Sequence, residues 1–170
     1  MDLMITGKEA LERLQEGNKR FVSSVGGSQV QLHSTRPAEL NQPHQPLAIV
    51  LGCSDARVPA EIVFDQGLGD LFVIRVAGNI VAPSQVGSIE FAASMFGTRL
   101  VVVLGHTQCG AIQATIEELQ RPMENQSRNL RAIVDRVRPS VEGLLKTDLR
   151  HDMAALSLRA ERDNDNAAMS

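Results

Sequence analysis

The sequence predicts an α/β fold in which a mostly parallel β-sheet is flanked by α-helices and preceded by an N-terminal helical arm. Three short segments, at residues 47–51, 71–76 and 100–104, are almost continuously apolar. Such segments are typical of parallel strands that are covered on both faces. Segments with helical spacing lie between and after them, and this alternation favours a parallel sheet. The length of 170 residues predicts one domain.

The first helix is predicted over residues 7–22, because Thr6 and Glu9 form a capping-box pattern in front of an amphipathic segment. Residues 23–46 are rich in Ser, Gly, Gln and Pro and are expected to form an extended connection. The other helices are predicted at residues 59–64, 85–96, 109–119, 127–145 and 148–162.

The chain is expected to consist of an N-terminal helix and arm over residues 1–46 and an α/β body over residues 47–170. Within the body, Pro139 is expected to start or kink a helix, because proline lacks the backbone donor that a helix interior needs. The polar tail at residues 163–166 is expected to fray.

The composition is that of a globular protein with few aromatic side chains. The chain contains five Phe, no Trp and no Tyr, and its net charge is −3. Nucleic-acid binding is therefore not expected, since stacking platforms and a basic field are both lacking. No apolar run approaches the roughly 18 residues of a membrane span, and no signal peptide is visible at the N-terminus. A cytoplasmic protein with reduced thiols and no membrane contact is expected.

Polar side chains follow two of the predicted strands. Cys53 and Asp55 come after the first strand, and His106 and Cys109 come after the third. Ligands of open α/β sheets bind at the carboxyl ends of strands, so these side chains are expected to converge if the two strands are neighbours. Two thiolates and one imidazole suit a tetrahedral Zn²⁺ whose fourth position is open to water.

Asp55 has two possible roles beside such a metal. Held by Arg57, it would accept a hydrogen bond from the water on zinc. Released, it would become a fourth zinc ligand and close the site. The alternatives are that the cysteines and His106 are ordinary core residues, that Cys109 is a reactive low-pKa thiol, or that Asp55 and Arg57 form a surface ion pair.

These segments resemble the β-class carbonic anhydrases. Residues 53–59 are similar to the family's Cys-x-Asp-x-Arg signature, and residues 105–110 are similar to its His-x-x-Cys-Gly signature. Residues 64–79 and the opening helix are also similar, so that the resemblance covers residues 5–120. It implies one Zn²⁺ per chain, held by Cys53, His106 and Cys109.

The resemblance also implies an activity and an assembly. The reaction would be the reversible hydration of CO₂ to bicarbonate and a proton by zinc-bound hydroxide, which makes the protein a lyase, with Asp55 and Arg57 as the catalytic pair beside the metal. The basic unit would be a homodimer, or a higher homo-oligomer, with active sites at the interface. The candidates for the CO₂ pocket are Phe72, Ala77, Phe91 and Gly110.

The sequence departs from the family pattern at three places. His44 stands nine residues before Cys53, where a glutamine is frequent, with Gln42 and Gln45 nearby. Gln108 lies between two zinc ligands and has no assigned role. The resemblance further implies a chain shortened at its C-terminus. These departures keep two alternatives open: a zinc-binding homologue with little or no activity, and a cysteine-based redox or hydrolytic enzyme.

Overall fold

The structure is a computed structural model that describes residues 5–25, 44–122 and 127–170. In the first half of the chain, strands alternate with helices: α1 (Gly7–Val25), β1 (Ala48–Gly52), α2 (Ala60–Val63), β2 (Leu71–Arg75), α3 (Pro83–Phe96) and β3 (Val101–Leu104). The second half is helical: α4 (Gly110–Gln120), α5 (Arg128–Glu142) and α6 (Met153–Ala168). Short 3₁₀ helices lie at Ala77–Asn79, Leu144–Lys146 and Asp148–His151.

The three strands form a parallel sheet in the order β2–β1–β3. The central strand, β1, is buried at all five of its residues. This burial explains why its sequence is continuously apolar rather than alternating, since neither of its faces meets water. The predicted α/β fold class is confirmed.

Helix α1 starts with the predicted capping box. The backbone N–H of Glu9 donates to Thr6 Oγ1 over 3.2 Å, and the backbone N–H of Thr6 donates to Glu9 Oε2 over 2.8 Å. These reciprocal bonds satisfy two donors that a helix start leaves without partners. The Thr6 hydroxyl also donates to Glu9 Oε2 over 2.6 Å, and this bond, together with the one from the Thr6 backbone N–H, lowers the pKa of Glu9.

Replacing Thr6 with alanine is expected to lower the free energy of unfolding by about 1 kcal/mol, because a donor of the first turn loses its partner. Thr6→Ser keeps the hydroxyl and should remain close to the parent protein. Ionised Glu9 also stabilises the folded state, because folding lowers its pKa. This stabilisation is fully present above the pKa of Glu9 in the unfolded chain, and it is lost as pH falls through the lower pKa of the folded state. Denaturant titrations of both variants at neutral and acid pH measure the effect, and equal stability of the two would contradict it.

The chain divides into two compact units, and the first comprises residues 1–51, 56–74 and 83–102. Within this unit, α1 is bound to the last residue of α2 and to the segment that follows α2. Asn18 Nδ2 donates to the carbonyl oxygen of Val63 over 3.0 Å, and the Arg13 guanidinium lies 3.3 Å from the Asp70 carboxylate. The predicted extended connection lies outside the described residues over 26–43, and so does Gln42.

The second unit comprises residues 52–55, 75–82 and 103–170. Its core is formed by aliphatic side chains of α4, α5 and α6, by the isoleucine that follows the 3₁₀ helix at Ala77–Asn79, and by two cysteines: Cys53, Ile80, Cys109, Ile112, Ile116, Val137, Val141, Leu156 and Ala160. The cysteines that follow the strands are therefore enclosed by the helical part of the chain. No helix of the described residues is long and apolar enough to cross a membrane.

The prediction for the C-terminal region was wrong in two respects. A 3₁₀ helix at Asp148–His151 precedes α6, and α6 runs through the tail that was expected to fray. Asp152 caps α6 by accepting from the backbone N–H of Ala155 over 3.0 Å, and Asn164 in the tail is buried. Pro139 lies inside α5 near its end, so it starts no helix, and the alternative that it kinks one stays a prediction. The tail stays helical because its polar side chains find partners elsewhere in the second unit.

Candidate metal centre

Two strand ends bring Cys53, His106 and Cys109 together. Cys53 follows the last residue of β1, and the segment after β3 supplies His106 and Cys109 just before α4 begins. One potential ligand atom from each of the three side chains lies within 4.8 Å of the other two. Gln108 lies between His106 and Cys109 and has a φ of 57°. This left-handed conformation bends the backbone sharply between the two candidate ligands.

The donor atoms of this cluster fit a zinc ion. The two sulfurs are 4.0 Å apart, and two sulfurs bound tetrahedrally to zinc at about 2.3 Å lie about 3.8 Å from each other. His106 Nδ1 lies 2.9 Å from the carbonyl oxygen of Thr107 and is therefore the protonated nitrogen. This leaves a lone pair on Nε2, which is buried and has no hydrogen-bond partner among the described residues.

Both cysteines are free and buried. Their sulfur separation of 4.0 Å is about twice the length of a disulfide bond. The backbone N–H of Gly78 also donates to Cys53 Sγ over 3.3 Å. Hydrogen bonds of this kind stabilise a thiolate, which is the form that binds metal. The arrangement suits metal ligation better than an exposed nucleophilic thiol.

The hydrogen bond between the two sulfurs couples the titration of the two thiols. The hydrogen bond from Cys109 is the main cause that lowers the pKa of Cys53 to about 4, against the effect of burial. The hydrogen bond to Cys53 and burial together raise the pKa of Cys109. Burial lowers the pKa of His106, but the Cys53 sulfur and the Thr107 carbonyl outweigh it and the net shift is upward.

Zinc binding is expected to release about one proton from the pair of thiols near neutral pH, because both sulfurs must be thiolates in the bound form. The hydrogen bond between the sulfurs lowers the pKa of Cys53 and raises that of Cys109, so the pair keeps one proton that the ion must displace. Any His106 that is protonated adds to the release. Apparent zinc affinity should therefore rise by about tenfold per pH unit. Calorimetric titration in buffers of different ionisation enthalpy measures the proton, and an enthalpy that is independent of buffer would contradict this expectation.

Asp55 is half-buried beside the cluster, and its charge acts on His106. The segment that carries it is fixed by Arg75, which the sequence analysis did not single out. Arg75 Nε donates to the carbonyl oxygen of Cys53 over 2.8 Å, and its Nη2 donates to that of Asp55. Arg57 is exposed and belongs to the first unit, so its pairing with Asp55 stays a prediction.

The four candidate pocket residues occur in different surroundings. Phe72 and Phe91 belong to an aromatic group of the first unit, with ring centroids 6.4 Å apart. His44 belongs to the same group, 4.8 Å from the ring of Phe96. In the second unit, Ala77 lines a cavity of 560 Å³ between α4 and α5. Gly110 lines another, of 480 Å³, beside α6.

Three residues of α6 also contact the surroundings of the cluster and were missed by sequence analysis. Glu161 Oε1 accepts from the backbone N–H of Cys109 over 3.1 Å. Asn164 and Asp165 bind the 3₁₀ helix at Ala77–Asn79. The only signal in the sequence is the spacing of these residues, which puts them on one helix face. That signal is weak, because polar helix faces usually meet solvent.

Comparison with known proteins identifies the family. The family model described as carbonic anhydrase matches residues 48–169. A carbonic anhydrase of Mycolicibacterium smegmatis is 46% identical over 136 residues, which cover 78% of this chain and 63% of that protein. Carbonic anhydrase 2 of Mycobacterium tuberculosis is 41% identical over 144 residues, covering 82% of this chain and 69% of that protein. The chain thus spans about two thirds of the length of these relatives.

Solved structures give the fold. The β-carbonic anhydrase CcaA superposes with a TM-score of 0.66 at 24% identity, covering 94% of this chain and 77% of that one. A Coccomyxa β-carbonic anhydrase, solved in complex with acetazolamide, gives a TM-score of 0.65 at 21% identity, covering 93% and 69%. With a family match over most of its length, the chain belongs to the carbonic anhydrase family, and its fold is that of the β class.

Proposed function

We propose that the protein is a zinc-dependent carbonic anhydrase that interconverts CO₂ and bicarbonate. The observation that carries this proposal is the cluster of Cys53, His106 and Cys109 in a chain of this family, with a buried His106 Nε2 that has no hydrogen-bond partner in the described part of the chain. Because the chain spans 63% and 69% of the length of its relatives, the activity is inferred from the site rather than taken from them.

Cys53, His106 and Cys109 would hold the ion with two sulfurs and one nitrogen. A zinc ion bound by three protein ligands supplies a Lewis acid that lowers the pKa of water to about 7 and so makes hydroxide available to CO₂. The Thr107 carbonyl, 2.9 Å from His106 Nδ1, would keep the imidazole in the tautomer that binds metal through Nε2.

Asp55 and Arg57 would govern the water position. Asp55 lies close enough to His106 for its charge to act on that ring, and it would orient water by accepting a hydrogen bond. Arg57 would keep the Asp55 carboxylate ionised. The bonds from Arg75 to two carbonyl oxygens limit the movement of the Asp55 backbone, so that a closed site, with Asp55 as the fourth ligand, would need a side-chain rotation.

We further propose a homo-oligomer in the cytoplasm. Helix α3 exposes Phe91 at 51% and Met95 at 66%, and their spacing of four residues puts them on one helix face that a second copy could cover. A solved chain, from a study of two tetrameric β-carbonic anhydrases of Sordaria macrospora, has a similar fold, with a TM-score of 0.61 at 22% identity. The two free cysteines suit a reducing compartment.

The test is to measure zinc content, CO₂ hydration by stopped flow and mass in solution on one purified sample. About one zinc per chain, together with hydration well above the uncatalysed rate and a mass of at least two chains, is the expected result. Stoichiometric zinc without hydration between about pH 6 and 9 would favour the inactive homologue. Native thiols that react with an alkylating reagent while zinc is bound would favour the cysteine-based enzyme.

A further inference from the structure

We infer that a single turn of α6, formed by Glu161, Asn164 and Asp165, positions all three metal ligands, so that zinc binding and the docking of this turn stabilise each other. The inference rests on the proposed zinc site, and it concerns residues outside the two signature segments. Spacings of three and four residues put the three side chains on one helix face. Glu161 and Asn164 are 7% and 6% exposed, respectively.

The first contact is to Cys109. Glu161 Oε1 accepts from the backbone N–H of Cys109 over 3.1 Å. That N–H precedes the first turn of α4 and would otherwise have no acceptor within its own helix. The bond fixes the Cys109 backbone, and with it the starting point of the side chain that carries the sulfur.

The second contact acts on Cys53 through Gly78. Asn164 Nδ2 donates to the carbonyl oxygen of Gly78 over 2.9 Å, while the backbone N–H of Gly78 donates to Cys53 Sγ over 3.3 Å. Asn164 therefore holds the residue whose N–H is aimed at the Cys53 sulfur. Gly78 has a φ of 69°, a backbone conformation that residues other than glycine rarely adopt.

The third contact lies beside His106. The Asp165 carboxylate occupies the space where a side chain at position 105 would begin: a Cβ on Gly105 would lie 1.8 Å from Asp165 Oδ2. The carboxylate is held there by Asn79, whose Nδ2 donates to Oδ1 over 3.0 Å. The residue directly before His106 is thus packed against the same helix turn that binds the Cys109 N–H and the Gly78 carbonyl oxygen.

A common support for three ligands has a thermodynamic consequence. If the docked turn favours the metal-binding arrangement, then bound metal favours the docked turn by the same free energy. Partners that orient metal ligands typically change metal affinity by 10- to 100-fold when they are removed. We therefore expect zinc removal to loosen the C-terminal part of α6, and substitutions in this turn to weaken zinc binding.

The test compares Asn164→Ala with Asn166→Ala, which removes the same side chain from an exposed position two residues further along α6. Zinc dissociation constants are measured by competition with a chromophoric chelator. Asn164→Ala is expected to weaken binding by about 10-fold or more, and Asn166→Ala to leave it unchanged. Glu161→Gln keeps the acceptor oxygen and should stay near the parent value, whereas Glu161→Ala should not. Cobalt-substituted Asn164→Ala should show altered sulfur-to-cobalt absorption.

Hydrogen exchange of the unmutated protein provides the measurement that does not depend on variant folding. Amides of residues 161–168 should exchange faster in the zinc-free protein than in the zinc-loaded protein. Equal exchange in both forms, or equal zinc affinity of the two alanine variants, would overturn the positioning role while zinc binding and CO₂ hydration by the parent protein persist. A parent protein that binds no zinc would overturn the proposed function as well.

Discussion

His106→Ala is expected to yield a protein that retains little zinc after purification and hydrates CO₂ no faster than buffer. The substitution removes the only nitrogen donor of the cluster and leaves two sulfurs 4.0 Å apart. Removing a partner of a metal ligand already costs 10- to 100-fold in affinity, and loss of the ligand itself should exceed about 100-fold. Zinc content by mass spectrometry and hydration by stopped flow are measured on the same sample.

His151→Ala is the matched control. His151 is exposed in the 3₁₀ helix at Asp148–His151, where its ring accepts a hydrogen bond from Arg150 over 2.9 Å. Its loss should leave zinc content and hydration at the parent level. If His106→Ala kept one zinc per chain and full activity, the ion would have to be held elsewhere, and both the assigned cluster and the proposed function built on it would fail.

Gly17→Ala is expected to lower the free energy of unfolding by about 3 kcal/mol. Gly17 is buried in α1, and a Cβ placed there would lie 1.8 Å from the carbonyl oxygen of Phe64 and 2.9 Å from Gln66 Nε2. A backbone carbonyl cannot move aside as a flexible side chain can. Helix α1 would have to shift away, and the bond from Asn18 to the Val63 carbonyl would be lost with it.

Gly143→Ala is the corresponding control at the end of α5, because Gly143 has a φ of −63° that alanine also adopts. A Cβ there would meet no atom within 4 Å, so the substitution should raise the free energy of unfolding by about 0.4–1 kcal/mol by restricting the unfolded chain. Chemical denaturation of both variants gives the two differences. The two changes in the free energy of unfolding need not be equal in size. A Gly17→Ala protein as stable as its parent would show that α1 does not pack closely against the Phe64 carbonyl.

The ligand cluster could be predicted because its chemistry and its position were both local. Cys53 follows one apolar segment directly, and His106 and Cys109 follow another. Parallel strands bring their carboxyl ends to one edge of the sheet. Once β1 and β3 were recognised as strands, only their adjacency was needed, and the strand order β2–β1–β3 supplies it.

The role of α6 could not be predicted in the same way. Asp163, Asn164 and Asp165 form a polar run that usually marks a solvated helix end, and fraying was the expectation. The burial of Asn164 depends on the Gly78 carbonyl, which is 86 residues away in the chain. A hydrogen bond over such a separation leaves no periodic pattern in either segment.

The sequence alone determined the strand-and-helix alternation, the two signature segments and the three candidate metal ligands. Short apolar segments and fixed ligand spacings are local properties that sheet geometry converts into one site. Only the tertiary structure decided which polar groups support that site. Arg75 donates a hydrogen bond to the Cys53 carbonyl oxygen, and Glu161 accepts one from the Cys109 N–H. The physical reason is that a buried polar group must find a partner wherever the fold supplies one, and the position of that partner is fixed only when distant segments pack together.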